Sequence, residues 1–466
     1  MLAPVLLLLL NPAAAEAGTA DRPDIVFVLS DDHRNDFLSS AGHPFLRTPH
    51  IDALADRGVR FRNAFVTTSI CAASRATILT GLYEKTHQFT FKTPPLQKKY
   101  AEDSYPALLK KAGYRTGFVG KFGMQVVGGG VNEGGGPDTL LFDEATVIGR
   151  NPYFKLRPDG TLRHEADLCG DAGIKFIEET PAGQPLCLSV SFNSAHAEDS
   201  DKKRHYPYPF AEAGLYDNAD VPEPLIERDF HKQLPRFFNE GFMHRDRYAW
   251  RWDTPEKYRH NYINYCRLLS GMDRNVGRVV EALEVAGRLE NAVVIFMGDN
   301  GYYAGSRGFA GKWSHYEESL RVPMVACDFR TPQQGRVPEA VVLNVDIAPT
   351  ILDYAGVPKP ERYQGFSLRP LIEDAAASPL RQEFFIEHRM DHDPIPQYEG
   401  VRGPRFKYAR YYQFPNEPNG GEFLHDLQSD PQERRNLAGD PAFAAELSRM
   451  RSLTGDISGQ YDEARE

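Results

Sequence analysis

Two adjacent carboxylates, Asp31 and Asp32, follow one short apolar run, and a second oxygen-bearing pair, Asp299 and Asn300, follows another. Lys121 closes a third run in Gly-Lys-Phe-Gly, His196 closes a fourth in Asn-Ser-Ala-His, and Lys312 stands shortly after the Asp299 turn. Asp31, Asp32, Asp299 and Asn300 offer only oxygen donors, a set that suits Ca2+ or Mg2+ rather than zinc or copper. A divalent cation there would offset the carboxylate charge and polarise an anionic oxygen. Lys121 and Lys312 could then hold the remaining anionic oxygens. Each piece alone has an ordinary reading. An Asp pair after a strand is more often a cap or turn, Gly-Asp-Asn-Gly is a good turn sequence, and a single histidine is more often structural. Recurrence at successive strand ends is what argues for one crevice.

The elements that must position these residues are legible as period and punctuation. Runs rich in β-branched and aromatic residues at 24–29, 114–119, 185–192, 292–297 and 322–329 alternate with helical patterns. Strands buried on both faces look like this, and the alternation predicts an α/β domain with a mostly parallel sheet flanked by helices. In such sheets ligands bind beyond the carboxyl ends of the strands. A long helix is predicted over 254–287, with Thr254 as N-cap, Pro255 at the first helical position and Gly287 closing it. From residue 358 the texture changes. Runs at 384–387, 399–402, 406–412 and 422–427 are spaced like an antiparallel meander, and 441–453 reads as a closing helix. The expected organisation is a signal segment at 1–17, a large catalytic domain at 22–357 and a smaller α+β domain at 358–466. The glycine triplets within 128–137 contain no GxxxxGK[ST], so a nucleotide loop is not supported. Residues 197–252 read as a long binding loop or lid.

The 466 residues include 41% hydrophobic and 25% charged side chains, an ordinary globular balance. The net charge of -10, from 54 basic and 64 acidic residues, argues against a nucleic-acid partner. It leaves an anionic substrate open, because a few converging cations can dominate the field in a cleft. The amino terminus is an apolar Leu-rich run, too short to span a bilayer, followed by small residues at a cleavage site after Ala15 or Ala17. It predicts an exported protein, periplasmic or secreted, with no membrane span. None of the five cysteines, Cys71, Cys169, Cys187, Cys266 and Cys327, forms a CxxC pair, which argues against zinc or thioredoxin-like chemistry. Cys187, Cys266 and Cys327 read as small buried hydrophobes.

Residues 71–81, Cys-Ala-Ala-Ser-Arg-Ala-Thr-Ile-Leu-Thr-Gly, closely resemble the signature of the type I (formylglycine-dependent) sulfatases. Further ordered landmarks lie in Thr48-Pro-His-Ile-Asp, Gly113-Tyr-Arg-Thr-Gly, Tyr316-Glu-Glu-Ser-Leu-Arg-Val-Pro, Asp346-Ile-Ala-Pro-Thr, Gln364-Gly-Phe-Ser-Leu and Asp426-Leu-Gln-Ser-Asp-Pro. The resemblance implies an alkaline-phosphatase-like fold and a sulfuric ester hydrolase. It implies that a separate formylglycine-generating maturation enzyme oxidises Cys71 to formylglycine. One hydroxyl of the hydrated aldehyde would attack sulfur and the other would expel sulfate, splitting one hard displacement into two easier steps. By matching positions, Asp31, Asp32, Asp299 and Asn300 would hold Ca2+ (Mg2+ being possible), with the diol from Cys71 completing the shell. Arg75 would orient the diol. Lys121, His196 and Lys312 would bind sulfate, His196 or Lys312 protonating the leaving oxygen, and Ser74 would serve maturation.

Two positions depart from the family pattern. Ala73 stands where the commonest form has proline. Gly123 stands where many members have a histidine beside the diol, which leaves the base for sulfate release unassigned; His33, His87 and His315 are candidates, although single histidines are more often structural. The stretch from Phe384 to Arg402 resembles bacterial sulfatases acting on polysaccharides, which favours a sulfated polysaccharide or oligosaccharide substrate, with Arg307, Tyr302, His388, Arg389 and His392 as candidate sugar contacts. The alternatives are a metal-dependent phosphoesterase of the same superfamily and a non-catalytic glycan-binding relative. The Cys-Ala-Ala-Ser-Arg run speaks against the first, and the intact metal and nucleophile positions speak against the second.

Overall fold

The computed structural model describes residues 22–91, 94–127, 140–416 and 418–465. The expected signal segment and the glycine triplets of 128–137 lie outside them. Seven strands form the central sheet: β1 (Asp24–Ser30), β2 (Val59–Arg60), β3 (Arg115–Gly120), β4 (Glu144–Val147), β5 (Leu186–Ser191), β6 (Ala292–Gly298) and β7 (Met324–Asp328). Their order is β2-β7-β6-β1-β5-β3-β4. β1, β3, β4, β5 and β6 run parallel, β7 pairs antiparallel with β6, and β2 pairs antiparallel with β7 at the edge. The continuous apolar run of β1 has a simple cause. Ile25, Phe27 and Leu29 enter one core, Val26 and Val28 the other, so both faces are covered.

Helices α1 (Pro49–Arg57), α4 (Glu165–Glu178) and α5 (Pro255–Val285) cover the Val26 side, and α2 (Cys71–Thr80) belongs to the other core. α5 starts as expected, with the Thr254 hydroxyl accepting from the Lys257 N–H at 3.2 Å and Pro255 at its first position. Gly287, at φ +67°, follows its end. The stretch 197–252 is less irregular than expected. It winds through 3-10 turns and ends in a helix, Met243–Arg251, that reaches the site described below.

The C-terminal meander forms as a four-stranded antiparallel sheet: β8 (Phe384–His388), β9 (Tyr398–Arg402), β10 (Phe406–Tyr411) and β11 (Glu422–Asp426), paired in chain order. Its closing helix α6 (Ala444–Glu463) extends ten residues beyond the expected end at 453. Among the described residues no helix is long and apolar enough to cross a membrane.

Candidate active site

The carboxyl ends of β1, β3, β5 and β6 open on one side of the sheet and deliver the expected residues together. Asp31 and Asp32 leave β1, Lys121 leaves β3, Asp299 and Asn300 leave β6, and all five are at least largely buried. The turns are locked by backbone bonds: Asp31 N–H donates to Ser194 O at 2.9 Å, Lys121 N–H to Ser191 O at 2.8 Å and Asp299 N–H to Ser30 O at 2.9 Å. Asp32 sits at φ +54°, a strained conformation for a non-glycine residue. Such outliers persist where the surroundings over-determine them, as here, where the Tyr265 hydroxyl donates to the Asp32 carbonyl at 2.6 Å.

Cys71 is the first residue of α2, after Ile70 in extended conformation, and it is buried at 6% exposure. The whole helix is buried, so the chain cannot shift Cys71 without disturbing the core that α2 packs into. Arg75, one turn further on, fixes the floor. Its Nε donates to Asp299 Oδ2 at 2.9 Å, its Nη2 lies 2.8 Å from the same oxygen as an ion pair, and its Nη1 donates to the Lys121 carbonyl at 2.6 Å. The Lys121 ammonium pairs with Asp31 and the Lys312 ammonium with Asp32. Asn300 Nδ2 donates to Asp32 Oδ1 at 2.7 Å. His196 Nδ1 faces the Ala197 carbonyl at 2.7 Å, so that nitrogen carries the proton and Nε2, 3.6 Å from Asp32 Oδ2, is the atom free to exchange one.

Above this floor is a cavity of about 340 Å³ lined by Cys71, Lys121, His196 and Lys312, with Arg150, Arg247 and Asp199 on its wall. Phe91, Trp313, Met390 and Ile395 give it apolar surface. A larger depression, about 830 Å³, lies at the opposite end of the sheet beside Asp24 and Arg288 and contains none of these groups.

A family model described as sulfatase matches residues 23–357, well over half of the chain. The chain belongs to the sulfatase family. A second model, the C-terminal region of N-sulphoglucosamine sulphohydrolase, matches residues 305–457. An N-acetylglucosamine-6-O-sulfatase of Bacteroides thetaiotaomicron is 24% identical over 97% of this chain and 88% of its own length. An arylsulfatase of Clostridium perfringens is 26% identical, covering 93% of each chain. A solved structure in complex with its substrate D-glucosamine-2-N,6-O-disulfate superposes with a TM-score of 0.77 at 23% identity, covering 95% of this chain and 98% of that one. The phosphonate monoester hydrolase of Agrobacterium radiobacter superposes with a TM-score of 0.79 at 22% identity, covering 94% and 96%. At these identities the superpositions show the alkaline-phosphatase-like fold alone.

In this sulfatase the floor residues fit a hard cation. Asp31 Oδ1 and Asn300 Oδ1 are buried acceptors that receive no hydrogen bond, an arrangement that costs about 1–3 kcal/mol per atom unless something satisfies them. Ligand atoms of Asp31, Asp32 and His196 lie within 4.8 Å of one another. The electrostatics are sharply divided. Burial would raise the Asp31 carboxyl, but Lys121, Arg75 and Lys312 outweigh it and hold it low, at about 2. Asp299 moves the other way, to about 6, because burial and the Asp31 charge outweigh Arg75. Burial, reinforced by Arg150, Lys312 and Lys121, keeps His196 well below the usual histidine range, so the imidazole is neutral at pH 7.

Three of the expected sugar contacts are corrected. Arg307 is 1% exposed, its Nε bonded to Glu318 at 3.0 Å and its guanidinium stacked 3.9 Å from the Tyr316 ring. Tyr302 is 1% exposed and bonded to the Tyr206 hydroxyl at 2.6 Å. His388 is fully buried in β8. Side chains enclosed in this way have no face to offer a sugar. Arg389 lies off the cavity wall, within electrostatic range of Glu84 and Glu387, whereas His392 does line the cavity. The three candidate bases take the structural roles that single histidines usually have. His33 is held by Ser30 Oγ and the Phe37 carbonyl, His87 by Thr77 and the Phe89 N–H, and His315 by Tyr411 and His425, so both nitrogens of each ring are engaged away from the cavity. Sequence reasoning also missed Arg150, Asp199, Arg247 and Trp313. Arg150 follows the carboxyl end of β4, so the strand-end rule would have found it had that strand been recognised.

Proposed function

We propose that this sulfatase removes sulfate from a sulfated carbohydrate, with its nucleophile made from Cys71 and a Ca2+ ion (or Mg2+) held by Asp31, Asp32, Asp299 and Asn300. The observation that carries this reading is the seating of Cys71 in one cavity with Lys121, His196 and Lys312, the two lysines being paired to Asp31 and Asp32 of the buried oxygen set. Formylglycine at position 71 would supply a hydrated aldehyde as nucleophile, and the cation would offset negative charge on the group being transferred. The chain's own residues do the rest. Three cations, Arg75, Lys121 and Lys312, face three carboxylates, Asp31, Asp32 and Asp299, so a divalent ion would leave the floor net positive and attractive to a sulfate ester. Lys121 and Lys312 stand at the cavity wall, where they can hold sulfate oxygens. The Lys312 ammonium is the group placed to give a proton to the departing alcohol oxygen, and the neutral His196 can accept one at Nε2. With Gly123 contributing no side chain, His392 is the other imidazole on the cavity wall among the described residues, and we assign it as the candidate for moving a proton during sulfate release.

The carbohydrate assignment rests on the names of the relatives, an N-acetylglucosamine-6-O-sulfatase and a structure holding a disulfated glucosamine. We also propose cleavage of a signal segment at 1–17, export to the periplasm or beyond, a catalytic domain at 22–357 with a smaller domain at 358–466, and a formylglycine-generating enzyme as maturation partner. The test is a peptide mass measurement across residue 71 in active protein, together with sulfate release from defined sulfated sugars and hydrolysis of a phosphonate monoester as counter-substrate. Formylglycine and sulfate release are expected. An unmodified thiol in fully active protein, or a preference for the phosphonate, would overturn the reading.

A further inference from the structure

The cavity holds more positive charge than one sulfate needs. Beyond Lys121, His196 and Lys312, its wall carries Arg150 and Arg247, and the carboxylate beside them is Asp199. Asp199 Oδ1 accepts from Arg251, whose side chain is 1% exposed and lies behind the wall. Arg247 Nη2 reaches Asp199 Oδ2 at 3.2 Å and Arg150 Nη2 stands off at 3.7 Å. One carboxylate therefore serves three guanidinium groups. Arg251 is the buried brace, and Arg150 and Arg247 are left as a net positive pair on the wall.

Neither arginine is an ordinary surface cation. Their side chains are only 20% and 15% exposed, so water solvates them poorly. Arg150 donates its Nε to the Ala197 carbonyl at 3.1 Å, which fixes the guanidinium on the cavity wall. Arg247 lies 4.8 Å over the Trp313 ring, and its Nε is a buried donor that meets no acceptor. A desolvated, fixed and incompletely bonded guanidinium pair is costly to keep unless an anion completes it. It is also the geometry that binds carboxylate or sulfate best. Arg150 is within electrostatic range of both Asp31 and Cys71, so this charge adjoins the cleavage floor.

Resting on the sulfated-carbohydrate reading, we propose that Arg150 and Arg247, braced by Asp199 and Arg251, form a second anion subsite. The preferred substrate would then carry a second negative group, a carboxylate or another sulfate, beside the sulfate ester that is cleaved. The neutral-sugar alternative leaves the two arginines sharing the single charge of Asp199 with Arg251 whenever substrate fills the cavity.

The test uses the mature full-length enzyme and pairs of sugars that differ by one anion. The first pair is N-acetylglucosamine 6-sulfate against glucosamine N,6-disulfate. The second is N-acetylglucosamine 6-sulfate against the same sugar linked to glucuronate. A member with the second anion is expected to show kcat/KM higher by about tenfold, the scale of one charge-assisted hydrogen bond. Arg247→Ala should bring that ratio close to one, and Arg247→Lys should restore part of it. Which pair shows the preference distinguishes a second sulfate from a carboxylate. Sulfate release without preference in either pair, or an Arg247→Ala loss that is equal for both members, overturns the second subsite while leaving the sulfatase reading intact. No sulfate release from any member would instead overturn the carbohydrate reading.

Discussion

Lys121 and Lys312 are each tied to an aspartate, and removing either leaves a buried carboxylate without its nearest cation. Lys121→Ala should destabilise the protein by about 3–5 kcal/mol, the usual cost of breaking a buried pair from one side. The same change should cut kcat by at least about a hundredfold, since one electrostatic contact to the transferred group is lost. Urea unfolding and sulfate release check the two effects separately. If the orphaned oxygens of Asp31 and Asn300 hold a cation, chelator should lower the melting temperature and added Ca2+ should restore it. At a hundredfold excess over its dissociation constant the ion would contribute about 2.7 kcal/mol. An unchanged melting curve would rule the ion out. At this scale the floor was readable, because acid, amide and lysine each followed a recognisable strand. Residue type does not reveal the burial of Arg307 and Tyr302: Glu318 sits in a helix of only four residues, Glu317–Leu320, too short for a periodic signature, and Tyr206 comes from distant sequence.

At the scale of elements, the site is held by sharp exits from strands. Gly120 ends β3 at φ +99°, and a Cβ there would stand 2.0 Å from the Ser191 carbonyl oxygen of β5. Only glycine lets the chain turn at that point and send Lys121 into the floor. Gly120→Ala should therefore cost about 1–3 kcal/mol from backbone strain, with more from the clash. It should also impair activity beyond the stability loss, which a kcat measurement well below the melting temperature would show. A melting temperature and kcat equal to those of the parent would contradict this role. The buried strands were legible because covering both faces demands unbroken apolar runs, and α5 because its cap, proline and closing glycine agree. β4 was not: three of its four residues, Ala145, Thr146 and Val147, are exposed at the sheet edge, so neither alternation nor an apolar run marks it. The helix Met243–Arg251 was hidden for a related reason, since its charged residues face the cavity wall and solvent rather than forming an apolar stripe.

The whole molecule is joined where the C-terminal sheet and α6 meet the region just after α2. Glu84, in the short helix α3 (Glu84–His87), and Glu387, in β8, are both fully buried at this junction. Glu84 Oε2 accepts from Thr68 at 2.7 Å and Glu387 Oε1 from the Lys85 N–H at 3.1 Å, but the other oxygen of each has no donor. Burial, and then the charge on Glu387, push Glu84 up to about 8, and burial pushes Glu387 to about 7. The folded protein thus holds protons here that the unfolded chain releases near the ordinary glutamate value of about 4.3. The stabilisation is complete below that value and is lost as pH rises through the folded values, because over this interval the native state binds more protons. Stability from this junction should fall between pH 5 and pH 8, opposite in sign to the effect of Asp31, whose lowered carboxyl costs stability only in strong acid. Glu84→Gln removes the competing charge and keeps an amide to bond Thr68. Its unfolding free energy should depend less steeply on pH across that interval than that of the parent, measured by urea titration at each unit of pH. An identical slope in the two proteins would mean that the pair is not what couples the C-terminal sheet to the catalytic half.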